Sequence, residues 1–302
     1  MLENMDMTDR RSFVRCVVGT AGAAIAGGCA SFCRTAEFYG PTIGDRIWMW
    51  GHHPDVVRSG GNGFKPGQAT IDQAAACRLM GVRNNCVIRW RNKPEYPWGD
   101  YFDQFKSLKR FAFGIADGGE ESTAEKMRIA FDELKPRYPN MTGCFLDDFF
   151  IRKHLYMEPD RLAEVADEVH AHDLRLSIVL YSDNKGMRPE YRRHLSLCDE
   201  TSLWFWCGDN IVTMADNVRR CREFVGARKD LLLGLYMWDF SRSEAITPEK
   251  MEMQLECASR FLADRTLDGL IFHPTFVADL DIPAVRMAKA WIAANGEKLW
   301  GV

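Results

Sequence analysis

The chain has 302 residues, 46% hydrophobic and 27% charged, with a formal net charge of −3. That apolar content can bury one large core, and with neither a strong basic excess nor a Lys/Arg block there is no electrostatic footprint for a polyanion, so no nucleic-acid partner is expected. Aromatic residues make up 12%, with nine tryptophans, a supply of rigid faces that serves core packing or stacking on flat and apolar ligand surfaces.

Residues 1–36 read as a leader, and residues 37–302 as one catalytic domain. Asp9-Arg10-Arg11-Ser12-Phe13-Val14-Arg15 sets paired arginines ahead of Cys16 to Gly28, a Gly/Ala-rich run of moderate hydrophobicity. This resembles a twin-arginine export signal, and the run is too short and too weakly apolar for a permanent span of about 20 residues. Two processing sites compete. Ala26-Gly27-Gly28-Cys29 resembles a loose lipoprotein box with Cys29 lipidated, whereas cleavage between Ala30 and Ala36 would release a soluble protein. A barrel-capping helix that happens to contain Arg10-Arg11 is the structural alternative. The export reading implies a periplasmic or extracellular location, with membrane contact only through a lipid on Cys29. Outside the leader, seven cysteines from Cys77 to Cys257 are scattered through predicted strands and helices without a Cys-x-x-Cys pair. That usage suits small buried apolar residues, which export in the folded state would tolerate.

Beyond the leader, eight short apolar runs recur, seven of them followed by a helix-like amphipathic stretch. The first strand, Arg46 to Gly51, ends in His52-His53, and a Gly-rich segment from Ser59 to Gly67 leads to a helix near Ile71 to Met80. The second, Asn85 to Trp90, carries Arg89, with Tyr96 and Trp98 in the following loop and a helix from about Gly99 to Lys109. The third, Arg110 to Ala116, ends at Asp117; Gly118-Gly119 turns the chain, and Ser122 with Glu125 forms a capping box for a helix running to about Tyr138. The fourth, Thr142 to Leu146, runs into Asp147-Asp148-Phe149-Phe150. A helix from Pro159 to His172 precedes the fifth, Leu174 to Leu180, which ends in Tyr181-Ser182-Asp183. The sixth, Ser202 to Cys207, holds Trp204 and Trp206. The seventh, Leu231 to Met237, ends in Trp238-Asp239, and Thr247-Pro248 opens a helix. The eighth, Gly269 to Phe272, ends in His273, before a closing helix over Pro283 to Asn295. Regular strand and helix alternation of this length predicts a single-domain α/β fold, the (β/α)8 TIM barrel, with its site at the C-terminal ends of the strands.

The acidic ends of the fourth and seventh strands carry the chemistry. Carboxylates at a barrel mouth are partly desolvated, so one can be held protonated as an acid while another is ionised as nucleophile or base. Side chains alternate along a strand, so Asp147 and Asp148 are expected on different sides, one facing the cavity and the other supporting it. Asp148 is the expected general acid and Asp239 its partner, with Asp147 in reserve for either role. A helix cap or a salt bridge is the structural alternative for any single acidic strand end. The segment Gly143-Cys144-Phe145-Leu146-Asp147-Asp148-Phe149-Phe150, together with Tyr236-Met237-Trp238-Asp239, resembles the (β/α)8 glycoside hydrolases that carry their acid/base and nucleophile after strands four and seven. It departs from them in having no Asn-Glu pair after the fourth strand and no Glu at the end of the seventh. The resemblance implies glycosidic-bond cleavage on a carbohydrate substrate by this carboxylate pair.

Trp206, Trp238, Tyr181 and Tyr236 could stack on a sugar, and His52, Arg89, Asp117, Asp183 and His273 could hydrogen-bond it. In Trp204-Phe205-Trp206 at least one tryptophan is expected to be core. No cofactor is expected. Converging His52, Asp148, Asp183 and His273 would instead suit a metal-dependent sugar isomerase or hydrolase, although no His-x-x-Glu-His spacing supports it. A noncatalytic carbohydrate-binding lipoprotein is a further alternative. None of the eight strand endings offers a Schiff-base lysine, Lys185 lying farther out in a loop, and no Gly-x-Ser-x-Gly elbow occurs.

Overall fold

The computed structural model describes residues 38–58, 71–91, 93–96, 98–115, 124–151, 156–182 and 187–301. The leader with Cys29, the Ser59–Gly67 segment, Asp117, Gly118-Gly119, the Ser122 cap, Asp183 and Lys185 lie outside the described residues.

Parallel strands β1 (Ile47–Gly51), β2 (Asn84–Val87), β3 (Arg110–Gly114), β4 (Met141–Leu146), β5 (Arg175–Tyr181), β6 (Glu200–Trp204), β7 (Asp230–Tyr236) and β10 (Gly269–His273) close into one barrel, with β10 pairing to β1. Helices on its outside include Gln73–Met80, Ala124–Arg137, Pro159–Ala171, Met214–Val225, Pro248–Ala263 and Pro283–Asn295. The predicted TIM barrel is therefore the observed fold. Thr247 caps the Pro248–Ala263 helix, its side chain accepting from the Lys250 amide, which satisfies one of the amides left open at a helix start. A two-residue pair not foreseen in the sequence, β8 (Trp238–Asp239) with β9 (Glu244–Ala245), forms an antiparallel hairpin after β7.

β6 begins two residues earlier than its apolar run predicts, because the polar Glu200 and Thr201 are accommodated at the closed end of the barrel. There the chain enters beneath the strands. Tyr39 is wholly buried, its hydroxyl donates to the Glu200 carboxyl, and the guanidiniums of Arg46, Arg110 and Arg175 lie 5.2 to 5.5 Å from its ring. Arg110 also donates to the carbonyls of Phe38, Tyr39 and Asp45, and Arg175 pairs with Asp230. Arg46 is sandwiched on Trp300 at 3.7 Å and donates to the Asp268 carbonyl at 3.1 Å. Loss of water, reinforced by the neighbouring Asp230 and Asp268, holds the Glu200 carboxyl well above the usual carboxylate range, which favours its neutral form.

Emptying this plug should be costly. Tyr39→Ala is expected to lower unfolding free energy by roughly 3–5 kcal/mol, the range for removing a large buried ring. Glu200→Gln, which preserves a neutral acceptor for Tyr39, should change it by less than about 1 kcal/mol. Urea unfolding of the two variants checks this, and a Gln variant as unstable as the Ala variant would mean that Glu200 is ionised.

Candidate active site

The side chains pointing along the barrel axis are large. Trp50 of β1 meets Phe145 of β4 at 4.4 Å between ring centroids and Trp204 of β6 at 4.8 Å, so aromatic rings from three strands meet across the barrel interior. Trp204 fits because β7 offers Gly234 opposite it: a Cβ on that glycine would fall 2.2 Å from the indole. The indole Nε1 donates to Ser202 Oγ at 2.8 Å. Above this layer opens a cleft of about 420 Å³, within the usual range for small-ligand sites.

Its lining includes Trp50, His52, Trp90, Asp147, Asp148, Ile151, Tyr181, Trp204, Trp206, Asn210, Tyr236, Phe240 and His273. Asp147 and Asp148 are both in it, contrary to the alternation expected of a strand. The reason is local. β4 ends at Leu146, and Asp148 has φ of +54°, a left-handed conformation that a short polar side chain tolerates better than most. The tight turn, closed by the Ile151 amide on the Asp148 carbonyl at 3.0 Å, brings both residues to the cleft. The Tyr181 hydroxyl donates to Asp148 Oδ1 at 2.8 Å. Burial, and after it the charge of Asp147, hold the Tyr181 and Tyr236 hydroxyls well above the usual phenol range, so both remain hydrogen-bond donors beside the two carboxyls.

On the wall across from these, His273 at the end of β10 lies 5.7 Å from His52 and 5.1 Å from Tyr236, and it also packs on Trp204 and Phe240. Burial pushes His52 down to about 3, and burial together with His52 pushes His273 well below the usual imidazole range. Two neutral imidazoles therefore face the cleft.

Asp239 is not part of the lining. It is buried, its Oδ1 accepts from the Ser241 amide at 2.9 Å and hydroxyl at 2.6 Å, and its Oδ2 lies where a Cβ on Gly208 would have to go. The hairpin explains this: an aspartate two residues before a serine closes an Asx-type turn on its own backbone. Trp238 is likewise buried outside the lining. Arg89 also stays outside it, with its guanidinium 5.9 Å from the Trp98 ring. Thus Asp147, Asp148, His52, Tyr181, Trp206, Tyr236 and His273 converge, Asp239, Trp238 and Arg89 do not, and Asp117 and Asp183 lie outside the described residues. Trp50, Trp90, Asn210 and Phe240 were not singled out as cleft residues in the sequence. For Trp50 a signal existed, since Trp48 and Trp50 occupy alternate positions of one strand and so share the barrel interior. Among the described residues no group of three His, Cys, Asp or Glu side chains converges as a metal site would require.

No protein-family model and no curated protein matches the chain. Among solved structures, a Bacteroides thetaiotaomicron protein provisionally classed as an α-L-fucosidase aligns with 86% of this chain and 98% of its own, at 12% identity and a TM-score of 0.56. A family 18 chitinase from Crocus vernus aligns with 82% and 98%, at 8% identity and a TM-score of 0.50. The tryptophan synthase α-subunit of Pyrococcus furiosus aligns with 84% and 98%, at 8% identity and a TM-score of 0.49. At these identities the likeness is one of fold, and a barrel of this kind hosts many reactions.

The histidine pair sets an acid response. In the unfolded chain both imidazoles take up protons below about pH 6.5, while in the fold they stay neutral to lower pH. The unfolded state then binds more protons, so this pair makes stability fall as pH drops from about 6.5. Glu200, whose carboxyl is raised in the fold, acts in the opposite sense, so the informative quantity is a difference. His273→Gln should flatten the decline of Tm between about pH 6.5 and 4 relative to the unaltered protein. An unchanged slope would show that the fold does not suppress protonation of His273.

Proposed function

We propose that this barrel is a glycoside hydrolase, with Asp148 as general acid/base and Asp147 as the adjacent charged carboxylate. The observation that carries the reading is the pair of carboxyls, turned into one cleft by the left-handed Asp148 and facing aromatic walls. A sugar ring has an apolar face and a polar periphery. Trp50 and Trp204 supply a floor for the former, and the neutral imidazoles and two tyrosine hydroxyls supply partners for the latter. In the reaction, Asp148 donates its proton to the leaving glycosidic oxygen, and the Tyr181 hydroxyl bonded to Oδ1 strengthens its hold as the carboxylate forms. The charge of Asp147 stabilises the developing oxocarbenium character of the ring as the bond from the anomeric carbon to the leaving oxygen breaks, and water then adds to that carbon and gives a proton back to Asp148. Asp239, bound to Ser241, serves the loop architecture in this reading instead of supplying the second carboxylate.

A panel of 4-nitrophenyl α- and β-glycosides tests the proposal. At least one should be hydrolysed, and Asp148→Asn should lower kcat/KM on it by about 10²–10⁴-fold, the usual contribution of a general acid, with Tm preserved. Asp147→Asn should lower kcat by a comparable factor, and Asp239→Asn should act mainly on stability. Turnover that survives Asp148→Asn would end the reading, and saccharide binding without turnover would instead favour a carbohydrate-binding protein.

We further propose export through Arg10-Arg11. Replacing both by lysine should retain the protein in the cytoplasm, as read by cell fractionation. Undiminished export of that double variant would remove the twin-arginine route.

A further inference from the structure

Trp204 and Trp206 stand two residues apart, and both line the cleft. Trp204 is 2% exposed and forms its floor, whereas Trp206 is 53% exposed at its rim. A large indole left half in water at the mouth of a site is an unsatisfied apolar face. The same cleft is also lined by Ile151, itself 43% exposed, and by Asn210 of the loop that carries Trp206.

The segment holding Trp206 is fastened from behind. Gly208 packs against the Asp239 carboxylate, with no room for a Cβ between them. Cys207 Sγ lies 3.4 Å from the Ser241 hydroxyl. Asp209 accepts from Arg242 at 2.7 Å and from Lys250 at 2.9 Å, and these two cations hold its carboxyl below the usual range. Asn217 donates to Thr213 at the far end of the same loop. The loop after β6 is thus tied to the hairpin after β7 at Cys207, Gly208 and Asp209, just behind Trp206, which limits the backbone ordering that a ligand must supply.

We propose that Trp206, with Asn210 of the same loop, forms an outer subsite that stacks a second sugar ring, so that the ligand is an oligosaccharide of at least two units. The inference rests on the carbohydrate reading of the inner cleft. One ring occupies the Trp50–Trp204 floor next to Asp147 and Asp148. The next leaves the cleft across the exposed face of Trp206, with the Asn210 amide available to its hydroxyls. Asp239 is a positioning residue for this subsite through Gly208.

The test is binding by isothermal titration calorimetry to the Asp148→Asn protein, which removes turnover from the measurement. The probes are glucose, mannose, galactose, fucose and N-acetylglucosamine, and disaccharides and trisaccharides built from them. At least one disaccharide should bind more tightly than its own monosaccharide. Trp206→Ala should cut that gain about five- to tenfold, in keeping with the loss of one stacking face, and Trp206→Phe should restore part of it. Retention of the full gain in Trp206→Ala, or no gain from a second ring in the parent, overturns the subsite. The two readings fail separately: absence of aryl-glycoside turnover with an intact Trp206-dependent gain removes the hydrolase and leaves the subsite. Turnover with no such gain does the reverse.

Discussion

A closed parallel barrel must fill its own axis, and this one does so at the cleft floor with Trp50, Phe145 and Trp204. The contact on which the arrangement depends is that of the Trp204 indole over Gly234. An indole cannot lie flat across the axis unless the facing strand withholds a side chain at that height, and overfilling a packed interior by even a few carbons costs about 1–3 kcal/mol. Given that contact, the layer closes the barrel, and whatever the strand ends display above it faces an aromatic floor.

The polar features follow from that floor. Two imidazoles that rest against aromatic rings lose water and with it their charge. Tyrosine hydroxyls next to carboxyls keep their protons. The floor therefore converts these imidazoles and phenols into fixed donors and acceptors, and the carboxyls in the described lining are those of Asp147 and Asp148. A site of this kind can orient a bound ligand by hydrogen bonds while keeping its electrostatic effect at one point on one wall.

Most of the barrel was legible in the sequence because its signal is local: apolar strands, turn residues and amphipathic helices repeat along the chain. The strand ends were legible for the same reason, and the expected residues Asp147, Asp148, His52, Tyr181, Trp206, Tyr236 and His273 do meet in one cleft. What escaped depends on relations that no short window contains. The alternation rule separates Asp147 from Asp148, and only the left-handed turn at Asp148 removes the conflict. Asp239 ends an apolar strand as Asp148 follows one, yet a hairpin of two-residue strands consumes its carboxylate in a turn with Ser241. Glu200 lies outside the predicted strand because its acceptor role is set by Tyr39, 161 positions earlier in the chain.

The entry of the chain beneath the strands also gives the molecule a direction. Phe38 and Tyr39 are gripped by arginines at the starts of β3 and β5, whereas the cleft opens at the opposite pole. Anything joined ahead of Phe38, whether a leader, a lipid-bearing cysteine or a solid support, pulls on the sealed pole. A barrel moored there presents its mouth outward, and the mooring point can be exchanged without touching the residues of the cleft.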